Sequence, residues 1–223
     1  MTRSTPRVIT TVLLDMGGVL TSDILERVMF DRRYGVGPRG WLARRRWWRA
    51  AAPVWRRYAL GAETNETDFW AAISAATGLT TTPAVAEAVR RHTMQVNTEA
   101  DQLLPALRAA GLRVGVVSDN VAFWYPRQLA ALGPAAQAAI DPELVFLSYR
   151  LGRQKCCGLY AAVARVVDPA TTLVVDDRAP YRQAARRAGF RVAAYHLAPG
   201  ASLTAALQRH GVWPAAQAKG RSV

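Results

Sequence analysis

The chain runs to 223 residues, 51% of them apolar, with a formal net charge of +13. Such a length buries a full core and allows one domain with an insertion or two small domains. No apolar run approaches the roughly 18 residues of a membrane span. The two cysteines, Cys156 and Cys157, are adjacent, which gives neither a disulfide framework nor a metal-ligand spacing. The first apolar run lacks the small-residue cleavage site that marks a signal peptide. The expectation is a cytoplasmic protein with no membrane partner. All but two of the 29 basic residues are arginine, Lys155 and Lys219 being the exceptions. Abundant Arg beside abundant Ala has the look of coding bias; what remains is a field that attracts anions, whether phosphorylated metabolites or nucleic acid.

Residues 1–7 are polar, contain Pro6 and are expected to be loose. Val8 to Leu14 is an unbroken apolar and β-branched run, as in a strand buried on both faces. It ends in Asp15-Met16-Gly17-Gly18, a carboxylate followed by a glycine pair, where an open α/β sheet presents its site. Alone, that Asp is as well explained as the cap of a turn. After Leu20 the pattern is helical to about residue 99. Trp41, Trp48 and Trp55 recur every seven residues, which places them on one helical face, and Pro53 predicts a kink or a junction of two helices. From Arg39 to Arg57 there are seven arginines and no acid, a solvated basic face or an anion-attracting wall. Further helices are expected from Thr67, ending at Gly78, and from near Pro83.

From Asp101 helix and strand alternate. A helix lined by Leu103, Leu104 and Leu107 stops at Gly111, and Leu112–Val117 is a strand ending in Ser118-Asp119-Asn120. A helix over Ala122–Leu132, a strand over Leu144–Ser148 and a helix carrying Tyr160 and Val163 follow. The strand Leu173–Val175 then ends in Asp176-Asp177. Ala188-Gly189-Phe190-Arg191-Val192 echoes Ala110-Gly111-Leu112-Arg113-Val114, the repeated helix-to-strand unit of a parallel sheet. The segment from Pro214 onward is small, polar and expected to fray.

Three predicted strands thus end in acidic or hydrogen-bonding groups, and parallel strands bring their carboxyl ends to one edge. Clustered carboxylates repel unless a cation sits among them, and oxygen-only ligands favour Mg²⁺, which suits phosphate substrates. Lys155, in a chain that otherwise uses arginine, supplies a compact ammonium that a planar guanidinium does not replace.

In this order the residues resemble the haloacid dehalogenase-like (HAD) hydrolase superfamily, in the branch with a helical C1 cap between the first two motifs. The resemblance covers residues 8–197, with motifs at Asp15–Leu20, Ser118-Asp119-Asn120, Lys155 and Asp176-Asp177. It implies a Rossmann-like, doubly wound parallel α/β core over residues 1–21 and 100–223, with an inserted all-helical cap over 22–99. It implies Asp15 as the nucleophile that forms an aspartyl-phosphate. Lys155, Ser118, Asp119 and Asn120 would hold the phosphoryl group, and Asp15, the Gly17 carbonyl, Asp176 and Asp177 would hold Mg²⁺. The cap would close over a small phosphorylated substrate, and Arg45, Trp48 and Arg49 would be among its specificity residues.

Three departures stand out. Gly17 occupies the position where phosphatases of this superfamily carry a second Asp as general acid and base. Cys156 follows Lys155 where proline is frequent, and Tyr181 stands four residues after Asp177 where Asn or Asp is common. The last two read as local variation, and the cysteines as small residues opening a helix. His92, His196 and His210 read as surface or loop residues. The expected function is a Mg²⁺-dependent phosphatase acting on a small phosphorylated metabolite. Alternatives are a non-catalytic or weakly active protein binding a phosphorylated ligand or partner and, more remotely, a metal-free haloacid dehalogenase, against which Asp176-Asp177 argues. Nucleic-acid binding has the basic stretch in its favour but no recognised motif. Substrate identity and oligomeric state stay open.

Overall fold

Buried on every residue, the strand β1 (Thr11–Leu14) forms the middle of a five-stranded, all-parallel sheet. The computed structural model describes residues 8–22, 40–81 and 83–212; the expectations for residues 1–7, for the first part of the helical insertion and for the tail from Pro214 lie outside these. The other strands are β2 (Arg113–Ser118), β3 (Val145–Leu147), β4 (Thr172–Asp176) and β5 (Arg191–Ala194), in the order β3-β2-β1-β4-β5. The Asp15 strand lies between those leading to Ser118 and Asp177.

Alternation along β1 divides the core in two. Val12 and Leu14 face a cluster with Leu103, Leu104 and Leu107, whereas Leu13 faces one with Leu159, Val163 and Phe190. Helices therefore cover both faces, and β1 is buried throughout because neither of its faces meets water. Gly111 and Gly189, with φ of 83° and 90°, end helices in the left-handed conformation just before β2 and β5, which accounts for the repeated unit read in the sequence.

The helices between β1 and β2 are α1 (Trp41–Ala59), α2 (Glu66–Thr77), α3 (Pro83–Thr93) and α4 (Ala100–Ala109). Asn65 caps α2 by accepting from the Thr67 and Asp68 amides, and Gly78 stops it with φ 68°. Two expectations for α1 are corrected. Pro53 does not divide it into two helices; the residue is exposed, so the carbonyl that loses its partner lies on the solvent side, open to water. The buried stripe is Trp47, Ala51, Val54 and Tyr58, one residue ahead of the heptad, while Trp41 is 68% exposed. After β2, the predicted helix over Ala122–Leu132 is shorter, α5 (Tyr125–Ala131), because Pro126 suits a first turn. His92, read as a surface residue, is buried on α3.

α1, α2 and α3 share an aromatic cluster with the segment that follows β2. Trp124, 1% exposed, lies 5.4 Å from Phe69, 5.7 Å from Trp55 and 6.1 Å from Trp70 between ring centroids. Arg127 on α5 adds an ion pair to Glu66 on α2 at 2.6 Å. The two chain crossings pair with each other as well: the Ser22 amide donates to the Gln95 carbonyl and the Asn97 amide to the Leu20 carbonyl. Truncation of Trp124 leaves a large void between the sheet's edge loop and the helices. Trp124→Ala is expected to lower stability by about 3–5 kcal/mol, measured by urea unfolding.

Candidate active site

The register of the sheet brings the site residues together. Leu14 pairs with Val116 on one side and Val175 on the other, so Asp15 and Asp176 emerge level from adjacent strands, with Ser118 and Asp177 close by. Carboxylate oxygens of Asp15, Asp176 and Asp177 lie within 4.8 Å of one another. Gly18 makes room for the third of these. A Cβ at that position would lie 2.6 Å from the Asp177 Cγ, and its φ of 80° also favours glycine.

Lys155 is 1% exposed and places Nζ 2.6 Å from Asp15 Oδ2 and 2.6 Å from Asp176 Oδ2. The remaining oxygens are oriented by the backbone: the Met16 amide donates to Asp15 Oδ1 at 2.7 Å, and the Arg178 amide to Asp176 Oδ1 at 2.8 Å. Burial works against the charge on Lys155, but the two carboxylates outweigh it and hold its pKa well above the usual lysine value. Asp15 sits at the opposite margin. Burial pushes its carboxyl up to about 7 from an ordinary 3.8, against the lowering effect of Lys155, and Asp176 and Asp177 raise it further.

Asp15, Gly17, Ser118, Asp119 and Asn120 line one cavity of about 230 Å³, together with Gln154, Cys156, Trp48, Trp55, Arg178 and Tyr181. Asp119 does not simply face a ligand: its Oδ1 accepts the Lys155 backbone amide at 2.8 Å, which positions the lysine. Burial raises its carboxyl above the ordinary value, with Lys155 opposing. The Asn120 side chain is likewise committed to the protein, donating to Gln128 Oε1 at 2.7 Å and accepting the Val121 amide at 2.8 Å. Asn120 still lines the cavity, with these two bonds orienting its side chain. Gln128 in turn donates to Thr21 Oγ1 at 2.9 Å, which ties the β2 loop to the first chain crossing.

Several residues of the site were not singled out by sequence reasoning. Tyr181, taken as local variation, holds its ring 5.1 Å from Lys155 Nζ. His196, taken as a loop residue, brings Nδ1 to 3.5 Å from Asp177 Oδ2. Cys156 and Cys157 belong to an irregular segment rather than a regular helix, with Gly158 at φ 97°. Of the expected specificity residues Trp48 lines the cavity; Arg45 and Arg49 are exposed and Trp55 lines it instead. The Trp heptad was the available signal for Trp55. Nothing in sequence spacing pointed to His196.

No protein-family model matches the chain, and no curated protein matches it. Solved structures do. A predicted HAD-like family hydrolase from Porphyromonas gingivalis is 21% identical, with TM-score 0.66 over 92% of this chain and 98% of its own. A HAD family enzyme from Bacteroides thetaiotaomicron, in complex with magnesium and inorganic phosphate, is 18% identical, with TM-score 0.63 over 88% of this chain and 98% of its own. The L-2-haloacid dehalogenase from Xanthobacter autotrophicus, with chloropropionic acid covalently bound, is 21% identical, with TM-score 0.55 over 84% and 77%. The chain has the α/β fold of the HAD-like hydrolases. Among the described residues, no helix is long and apolar enough to cross a membrane.

The donor set fits a hard divalent cation. Three carboxylates against one ammonium leave two negative charges, and all the donors are oxygens. Without a cation, the raised Asp15 pKa makes the folded state bind a proton that the unfolded state releases. That contribution is complete below the ordinary carboxyl pKa of 3.8 and is lost as pH rises through about 7. The metal-free melting temperature, taken as wild type minus Asp15→Asn, is expected to fall between about pH 5 and pH 8, and added Mg²⁺ to flatten the slope. Thermal unfolding with and without a chelator checks it.

Proposed function

We propose that this protein is a Mg²⁺-dependent phosphatase that hydrolyses a small phosphorylated metabolite through an aspartyl-phosphate on Asp15. The observation that carries the reading is Asp15 at the end of β1, sharing the buried Lys155 with Asp176, at the wall of a cavity that also presents Ser118. The magnesium and phosphate in the Bacteroides thetaiotaomicron enzyme support it, and the covalent adduct in the Xanthobacter autotrophicus dehalogenase supports covalent capture on this fold. Asp176 and Asp177 favour the metal-dependent branch, since the excess of carboxylates over the one ammonium beside Asp15 would oppose an anionic substrate unless a cation joined them.

Asp15, Asp176, Asp177 and the Gly17 carbonyl would hold Mg²⁺, which when bound supplies positive charge to the phosphoryl oxygens. Residues 22–99 act as the cap, closing over the substrate and limiting water. Lys155 favours the ionised form of Asp15 against its burial and fixes an oxygen for in-line attack on phosphorus, while Ser118 and Lys155 neutralise the transferring oxygens. Water then cleaves the acyl phosphate and restores the Asp15 carboxylate. We assign the activity to the cytoplasm, in keeping with the free Cys156 and Cys157.

Two experiments test this. Asp15→Asn, nearly isosteric, should abolish phosphate-ester turnover while the protein still folds, and Asp177→Ala should remove its stimulation by Mg²⁺. Undiminished turnover in Asp15→Asn would sink the covalent mechanism. Gly17 offers the second test. A Cβ there would meet nothing within 4 Å, and the residue does not have a positive φ, so Gly17→Asp is sterically open. The added carboxylate should raise kcat on simple alkyl phosphates by up to ~10²–10⁴-fold, the range of a positioned acid. Steady-state kinetics on alkyl and activated esters read the change.

A further inference from the structure

We propose that the cavity selects aryl phosphates, phosphomonoesters whose leaving group is a phenol; this deepens the phosphatase reading and rests on it. The wall of the cavity is aromatic from two separate elements. Trp48 and Trp55 come from α1, two turns apart on one face, and Tyr181 comes from α6 (Ala179–Arg187), the helix after β4. These rings are held in place by their neighbours. Trp48 meets Trp47 edge-on at 5.1 Å, and Trp55 packs on Trp124 at 5.7 Å and Phe69 at 6.4 Å. Tyr181 lies against Lys155 at 5.1 Å and Arg178 at 5.8 Å. A pre-ordered aromatic surface binds a planar ring with little loss of side-chain freedom.

Its chemistry points the same way. Gly17 brings no side chain, and among the described residues the carboxylates lining the cavity are Asp15 and Asp119. Asp15 makes the attack, and Asp119 is bound through Oδ1 to the Lys155 amide. A leaving group that needs no proton from position 17 is what such a wall tolerates best. An oxygen of Asp15 bonds to phosphorus as the bond from phosphorus to the aryl oxygen breaks. The phenolate leaves with that electron pair and takes its proton from solvent. Water then adds at phosphorus, releasing inorganic phosphate and the Asp15 carboxylate. A phenolate is a far weaker base than an alkoxide, so this departure needs the least help.

The test combines kinetics with binding. With Mg²⁺ present, kcat/KM for phenyl phosphate should exceed that for ethyl phosphate and for hexose phosphates by at least ~100-fold. In calorimetry, phenylphosphonate, which is not hydrolysed, should bind about tenfold more tightly than methylphosphonate. Trp48→Leu, and independently Trp55→Leu, should shrink that binding ratio several-fold in folded protein. A ratio near one in the wild type, or hexose phosphates turned over faster than phenyl phosphate, overturns the proposal. Acetyl phosphate, activated but without a ring, separates the layers. Its turnover, lost in Asp15→Asn, together with no advantage for the phenyl compounds, removes aryl selection and leaves the phosphatase standing. No turnover of any ester and no binding of inorganic phosphate removes both.

Discussion

One buried ammonium organises the carboxyl edge of the sheet. Lys155 Nζ touches Asp15 and Asp176, each at 2.6 Å, and its own backbone amide is fixed by Asp119. Three separate chain segments meet on this one side chain. Burying a lone charge is prohibitive, so each partner keeps the others in place. The pair Asp15 and Asp176 lies on neighbouring strands in matched register, which means the sheet's hydrogen bonding sets their separation before any ligand arrives. The fourth carboxylate of the group, Asp177, fits only because Gly18 has no Cβ. The glycine pair thus has two different jobs: Gly18 accommodates a carboxylate, and Gly17 leaves space open beside Asp15.

The helical insertion is joined to this edge by two unlike devices. One is the aromatic cluster around Trp124, which shares a core between α1, α2, α3 and the β2 loop. The other is polar. Thr21 at the first crossing is linked through Gln128 to Asn120, whose side chain also accepts the Val121 backbone amide. Ser148 extends the chain, its hydroxyl meeting the Asn120 amide at 3.0 Å. Fully satisfied buried polar chains of this kind rigidify what they connect. The crossing and the Ser118 loop are therefore held as one unit, and Ser118 is presented to the cavity from it.

Much of this was legible in the sequence, and the exceptions share a cause. The apolar run before Asp15, the glycine stops at Gly111 and Gly189, and the acidic or polar strand ends each carry a local signal, so strand order and the convergence of Asp15, Ser118, Lys155 and Asp177 followed. What escaped depended on contacts remote in sequence. Asn120 turns into the protein because Gln128 and Ser148 happen to meet it. His196 reaches Asp177 from just beyond β5, and Tyr181 takes its place against Lys155 and Arg178. The tryptophan heptad was a true periodicity read on the wrong stripe. Trp48 and Trp55 form the shoulder beside the buried Trp47, Ala51, Val54 and Tyr58, and a shoulder is where a helix can face both core and cavity.

The placement of charge separates the protein's surface from its site. With +13 overall and arginine almost everywhere, the long-range field draws anions in. At the cavity the sign reverses, because three carboxylates surround one lysine. Arginine would not serve at position 155: one small Nζ lies at hydrogen-bond distance from two carboxylates in a space with no exposure to water, whereas a guanidinium spreads its donors across a rigid plane. A dianionic phosphate attracted by the arginines therefore meets net negative charge at short range unless a divalent cation is present. The basic exterior raises the local concentration of many anions, and on the proposed phosphatase reading the acidic centre makes productive binding conditional on the cation. On the proposed reading, selectivity falls to the uncharged surface between them, the Trp48, Trp55 and Tyr181 wall, which faces the group that phosphate carries.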